Sequence, residues 1–157
     1  MRSITGRLVV FAIAGFVVLM WRGRRVDSVV MAQQGSAVTA TRLYTGDDGL
    51  THAEQVEMKF SPVAGAPATL EESERVKPSS SYLVRTAPGY FHSWRNADVH
   101  RWVIPISGRA EIEVAGGQKL YAEPGKIIEA DDLKGKGHTF PVVGNEDWVA
   151  VFVDMGQ

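Results

Sequence analysis

The sequence contains no cysteine, so disulfides, thiolate metal sites and a cysteine nucleophile are all excluded. A basic stripe is also missing: five of the 17 Lys and Arg residues precede residue 26, leaving 12 basic against 18 acidic side chains in the remainder. Because phosphate neutralisation needs clustered Lys and Arg, nucleic acid is not expected as a partner. Helical periodicity is nearly absent from the body of the chain. A length of 157 residues, 45% of them apolar, fits a single domain.

One apolar run, residues 8–21, lies near the N-terminus and is shorter than the ~20 residues of a spanning helix. Arginines before it are typical of a signal peptide, and arginines after it favour a short membrane anchor. The acid-free, Arg-bearing composition also suits an organellar targeting peptide. If translation starts at Met31, the run is a misassigned extension and the protein is cytoplasmic; otherwise we expect a secreted or membrane-anchored protein. Residues 1–32 are thus a signal peptide, anchor or extension, and 33–40 a linker.

The remaining chain breaks into short β-rich runs separated by Gly, Pro and Asp, the pattern of a sandwich or barrel. Alternation over residues 51–60 predicts that His52 and Glu54 point inward together with Val56 and Phe60. Residues 61–81 read as a long loop with one helical turn near 70–75. Eight or nine strands close most economically as a double-sheet jelly roll, so the prediction is an all-β barrel. The predicted strands after the loop are 82–86, 91–95, 100–107, 109–114, 118–123, 126–130, 138–143 and 148–154.

The run VIPISGRAEIEVAGGQKLYAEPGKII, residues 103–128, resembles the centre of the cupin domain, in which a turn Gly, a hairpin and Pro-Gly follow one another. Residues 43–58, 94–97 and 131–140 are similar to an uncharacterised group of single-domain cupins. The resemblance covers residues 41–155. It implies a cupin β-barrel over 41–157 with an open mouth, usually a homodimer, and in many relatives a divalent metal held by three His and one Glu.

The metal motif of that family is altered in this chain. Arg101 stands where the family has its Glu, and a cation there repels a metal ion. Only His138 matches a family ligand position. Neutral imidazoles are nevertheless the commonest ligands of transition metals. One bound divalent ion (Fe, Mn, Zn or Ni) and no bound metal are therefore equally expected. The candidate metal ligands are His138, His92 and His100, with Glu54 or Glu129.

Two arginines suggest an anion-binding site as the alternative to a metal site. Arg95 and Arg101 have equal parity on neighbouring strands, and guanidinium groups pair bidentately with carboxylate or phosphate. An anionic small molecule is then the natural ligand. The alternative is a structural salt bridge between either Arg and Glu129, Asp131 or Asp132. Aromatic side chains line either the pocket mouth or the core: Trp94, Trp102, Tyr90, Phe91 and Phe140.

Three functions follow from these patterns. The first is a cupin with a degenerate metal motif that binds a small, anionic molecule through Arg95, Arg101 and His138. The second is a metal-dependent oxygenase, isomerase or hydrolase that uses the barrel histidines. The third is an oligomerising barrel, whose homodimer interface includes residues 41–44. Membrane association is expected only through the N-terminal segment.

Overall fold

The structure, a computed structural model, describes residues 37–156. The predicted signal peptide, anchor or extension and residues 33–36 of the predicted linker lie outside the described residues. Among the described residues, no helix is long and apolar enough to cross a membrane. The strands of this part of the chain are β1 Thr39–Thr45, β2 Thr51–Glu57, β3 Phe60–Pro62, β4 Glu71–Ser73, β5 Pro78–Thr86, β6 Phe91–Arg95, β7 Arg101–Ser107, β8 Arg109–Glu113, β9 Lys119–Ala122, β10 Ile128–Asp131, β11 His138–Val143 and β12 Trp148–Met155.

Two main sheets form the barrel. Strands β2-β1-β10-β7-β12-β5 make a six-stranded sheet and β6-β11-β8-β9 a four-stranded one. Only β1 and β10 pair in parallel; the other pairings in residues 37–156 are antiparallel. The chain passes repeatedly from one sheet to the other, as in a jelly roll. The predicted all-β fold, a barrel of two sheets arranged as a jelly roll, is confirmed.

Side chains from both sheets fill the space between them. Trp148, only 1% exposed, packs with its ring centroid 4.8 Å from that of Phe140 on the facing sheet. Its indole Nε1 donates a hydrogen bond to the Ala122 carbonyl at 3.0 Å. Alternate residues of each strand point inward and bury apolar surface, which is the main favourable term in folding. The buried cluster contains Leu43, Val103, Ala110, Ile112, Val114, Ala122, Ile128, Val142, Trp148 and Ala150.

The register of β1 and β2 corrects the predicted orientation of β2. Leu43 lies in the core and is opposite Ala53, which also packs against the core. Residues 51 and 53 therefore face inward, and the prediction that His52 and Glu54 do so was wrong. The prediction followed the large apolar side chains of residues 56–60, but Phe60 belongs to β3 and is exposed. The inward face of β2 carries only a small Ala and a polar Thr, which gave no apolar signal.

The segment before β5 is more ordered than the sequence suggested. Residues 71–73 form β4, which pairs antiparallel with β3, so the helical turn predicted near residues 70–75 was wrong. A turn at Gly65, with φ of +78°, reverses the chain between the two strands. The pairing satisfies backbone groups of this polar segment, which a single helical turn leaves mostly unpaired.

Both edges of β1 are occupied, by β2 on one side and β10 on the other. Residues 41–44 therefore cannot add a second chain by edge-to-edge strand pairing in this arrangement. Their outward side chains remain accessible on the outer surface of the six-stranded sheet. The expected homodimer stays a prediction.

Candidate ligand cavity

A cavity of about 220 Å³ lies between the two sheets. Most of its wall is apolar, and a few polar side chains converge on it, as is typical of small-ligand sites. A larger surface groove of about 630 Å³ lies beside Tyr121 and Lys126 and contains none of the predicted site residues. The polar side chains that line the cavity include His92, Arg95, Asn96, Asp98, Arg101 and His138.

His138 opens β11 and is held by a buried carboxylate. Its Nδ1 lies 2.7 Å from Asp132 Oδ2, and Asp132 is 0% exposed. The Thr51 hydroxyl donates to the same carboxylate oxygen at 3.1 Å. Because an ionised carboxylate only accepts, Nδ1–H of His138 is the donor and Nε2 is left on the opposite edge of the ring. The inward-facing Thr51 of β2 thus supports the orientation of His138.

His92 lies on β6, and its ring centroid is 5.7 Å from that of His138. Its ring stacks on Phe140 at 5.6 Å between centroids, with an interplanar angle of 13°. His92 Nδ1 lies 2.9 Å from the backbone carbonyl of Ser93. Since a carbonyl only accepts, this Nδ1 also carries the proton of the neutral ring. Burial lowers the pKa of His92 and favours that neutral form.

Arg101 faces the cavity from β7, and its partner is one that the sequence analysis did not name. Its Nε lies 3.0 Å from Asp154 Oδ1, and both side chains are only 14% exposed. The two residues are opposite each other in the β7–β12 pair. The contact is an ion pair without hydrogen-bond alignment, since both atoms lack a hydrogen-bond partner within the described residues. A second Asp154 oxygen accepts from Ser80 Oγ at 2.9 Å.

The predicted partners of Arg101 were wrong for reasons of strand orientation. Ile128 and Ala130 face the core from β10, so Glu129 and Asp131 point outward. Asp132 is bonded to His138.

Arg95 lines the cavity at the end of β6 and is half-exposed. Its Nη2 lies 3.0 and 3.1 Å from the two carboxylate oxygens of Asp98, again a partner that the sequence analysis did not name. Arg95 and Arg101 do not share one face of a strand pair, because β6 and β7 belong to different sheets, but both line the same cavity. Asp98 is highly exposed, so this surface ion pair contributes at most about 1 kcal/mol and can be exchanged readily.

The predicted aromatic residues are distributed over different surfaces. Phe140 and Tyr90 line the cavity, whereas Phe91 is 61% exposed and is not among the lining residues. The structure places Trp102 on the outer face of β7, because it alternates with Arg101 and Val103, which line the cavity. Trp94 also does not line the cavity. Its ring centroid lies 3.9 Å from the Nζ of Lys136.

The other predicted metal ligands lie away from the histidine pair. His100 Nε2 is bonded to Glu129 Oε1 at 2.8 Å, and Glu54 Oε1 accepts from Arg42 at 3.2 Å. In residues 37–156 no three His, Asp or Glu side chains are grouped so as to hold a metal ion. His92 and His138 therefore supply two imidazoles, short of the three His and one Glu that the resemblance implies. The described residues do not fit that metal set.

The sequence analysis missed Thr51 and Asp154, and it named Asp132 only as a possible partner of an arginine. Asp132 lies six residues before His138 in a segment with two glycines, but only the long-range fold shows their contact. Asp154 had a visible signal, since it continues the inward series of β12 that contains Trp148 and Phe152. A carboxylate among inward-facing apolar residues of a strand indicates a buried cation beside it.

No family model and no curated protein matches this chain. Among solved structures, it is similar to the cupin domain of Schizosaccharomyces pombe Cnp3, with 10% identity and a TM-score of 0.43 over 77% of this chain and 84% of that one. It is also similar to a putative ethanolamine utilization protein Q from Salmonella typhimurium LT2, with 13% identity and a TM-score of 0.39 over 77% and 98%. The Drosophila melanogaster CENP-C cupin domain gives 16% identity and a TM-score of 0.37 over 78% and 80%.

Proposed function

We propose that the barrel binds a small organic anion in its cavity, with the anionic group received by Arg101 and Arg95. The proposal rests on one observation above all: the Arg101 guanidinium is largely buried at an apolar cavity and donates no aligned hydrogen bond within the described residues. Its buried donor, Nε, lies 3.0 Å from Asp154 Oδ1, whereas its Nη groups make no hydrogen bond within the described residues. A carboxylate in the cavity supplies acceptors for the Nη groups, because guanidinium groups hold carboxylates bidentately.

The rest of the cavity suits a compact ligand with an apolar body. Its volume of about 220 Å³ corresponds to roughly seven water molecules at ~30 Å³ each, the size of a short-chain acid. The apolar wall gains from contact with a hydrocarbon chain, while the polar groups orient it. Arg95 at the rim exchanges its exposed partner Asp98 for the ligand at little cost.

Butanoate and its uncharged amide test this proposal. We expect butanoate to perturb the side-chain Nε–H resonances of Arg101 and Arg95 in ¹H–¹⁵N spectra of the full chain, and butanamide to bind about 10-fold more weakly or worse. The amide has the same shape but lacks the charge that strengthens hydrogen bonds to guanidinium. Arg101→Lys, which keeps the charge but loses the planar fork, should weaken butanoate binding.

A matched control is Arg109→Lys, because Arg109 lies outside the cavity with its guanidinium over the Tyr121 ring. It should leave butanoate binding unchanged. Equal binding of acid and amide, or no binding of either by folded protein, would remove the basis of the proposal.

The metal-dependent enzyme stays a prediction, favoured by one feature. Metal-ligating histidines usually donate their second ring N–H to a carboxylate or carbonyl, as His138 and His92 do to Asp132 and Ser93. With only two such side chains, we expect protein from metal-replete medium to hold well below one equivalent of Fe, Mn, Zn or Ni after dialysis. Near-stoichiometric metal by elemental analysis, absent from His138→Ala, would instead establish the metal site.

A further inference from the structure

We propose that His92 and His138 form a hydrogen-bond-accepting subsite, so that the anion bound by the barrel also carries a hydroxyl or ammonium group. This inference rests on the proposed function and adds the second recognition element of the ligand. The ligand class is then a small hydroxy- or amino-carboxylate, with the carboxylate at the arginines and the donor at the two imidazoles.

The hydrogen bonds of His138 fix which of its nitrogens accepts. In the neutral ring, Nδ1 carries the proton because its partner at 2.7 Å is the Asp132 carboxylate. Asp132 is fully buried, and Thr51 binds the same oxygen, so the carboxylate cannot turn away easily. Nε2 is consequently the acceptor. Because the ring lines the cavity, that acceptor is available to a bound molecule.

His92 also has its proton on Nδ1 and its acceptor at Nε2, through a different contact. Its Nδ1–H donates to the Ser93 carbonyl at 2.9 Å, so its Nε2 also accepts. Burial lowers the pKa of this imidazole and keeps it neutral. Stacking on Phe140 holds the ring plane in place.

The two acceptors serve one cavity. Both rings line it, and their centroids are 5.7 Å apart. Among residues 37–156, each of these rings has a recorded hydrogen bond only at Nδ1. Neither Nε2 is among the buried, unpartnered side-chain atoms of the described residues, so a donor on the ligand takes the place of water at these acceptors.

Charge in the cavity also favours a donor at this position. Arg101 is paired with Asp154 and Arg95 with Asp98. Asp132 lies behind His138, which is its ion-pair contact within the described residues. A carboxylate behind the ring attracts hydrogen-bond donors and repels a second anionic group. A metal ion is less favoured at the pair, because the described residues offer no third ligand beside it.

The test compares butanoate with its 2-, 3- and 4-hydroxy and amino derivatives, titrated calorimetrically into chelator-treated full-length protein at pH 8. At least one isomer is expected to bind about 10-fold tighter than butanoate, the value of one well-made hydrogen bond to a buried group. The hydroxy and amino series distinguish the two donor chemistries. In His92→Phe, which keeps the stacked ring, the preference for that isomer over butanoate should be lost.

His52→Phe is the control, because His52 lies outside the cavity and is bonded to Asp48 at 3.0 Å. It should leave the preference intact. Long-range ¹H–¹⁵N correlations of both rings in the unmutated protein provide a second readout, expected to show Nδ1–H and bare Nε2. This measurement holds even if a variant fails to fold.

The outcomes separate the two proposals. If butanoate binds but no derivative binds more tightly, the subsite is refuted and the anion site stands. If neither butanoate nor any derivative binds to folded protein, both proposals fail. A protonated Nε2 on either neutral ring, or a preference that appears only after metal is added back, also overturns the subsite.

Discussion

Arg101→Ala is expected to lower the free energy of unfolding by about 3–5 kcal/mol, the usual cost of removing one member of a buried ion pair. Asp154, 14% exposed in the intact protein, is then left without its cationic partner and keeps the hydrogen bond from Ser80. The substitution also removes the contact between the guanidinium and the Phe152 ring, 5.2 Å from its centroid. Urea unfolding followed by circular dichroism measures the loss.

Two further variants show whether the charge itself is responsible. Arg101→Met combined with Asp154→Leu should recover most of the lost stability, because apolar side chains of similar size often replace a buried pair without cost. Arg85→Ala is the matched surface control, since Arg85 is 77% exposed and lies 3.7 Å from Asp147. Its effect should be at most about 1 kcal/mol. A loss of that same size for Arg101→Ala would show that Asp154 is well solvated without Arg101.

The double variant also separates stability from function. Arg101→Met with Asp154→Leu keeps the barrel folded but has no guanidinium at the inner end of the cavity. If the proposed function holds, this stable protein no longer discriminates butanoate from butanamide. Arg101 is therefore expected to contribute both to stability and to ligand binding. Urea unfolding and the binding experiment measure these two contributions separately.

Local sequence patterns were sufficient to predict the fold. Alternating strands and Gly-containing turns after residue 81 predicted the strands along the chain, because period-2 burial and positive φ angles are local properties. Phe140, Arg95 and Arg101, predicted as ligand-binding residues, line the cavity, and their role in binding stays a prediction. The strand β2 was misread because its inward residues, Thr51 and Ala53, are small or polar.

The contacts between the side chains of the site could not be predicted from local sequence patterns. Thr51 and Asp132 are 81 residues apart in sequence, and Arg101 meets Asp154 only through the register of β7 and β12. The sequence offered Glu129, Asp131 and Asp132 as partners of Arg101. Only the orientation of the strands shows which carboxylate faces it. Register depends on how the whole core packs, so a single strand's pattern does not contain it.

Gly137→Ala is expected to cost about 2–5 kcal/mol, because a positive φ and a steric overlap act together. Gly137 has a φ of +78°, and a Cβ at this position would overlap the backbone carbonyl group of Arg95. The close approach lies beside the β6–β11 pair, in which His138 is opposite Arg95. Relief of the overlap must therefore shift the strand that positions His138.

Gly144→Ala isolates the backbone contribution. Gly144 has a φ of +89°, but a Cβ there has no atom within 4 Å, so only the left-handed conformation is penalised, by about 1–2 kcal/mol. The excess cost of Gly137→Ala, measured by urea unfolding, reports the steric overlap. If both variants lose equal stability, the β6–β11 contact yields without cost and does not fix His138. If Gly137→Ala costs more and also weakens butanoate binding, the close approach of these two backbones is what holds the cavity in its binding geometry.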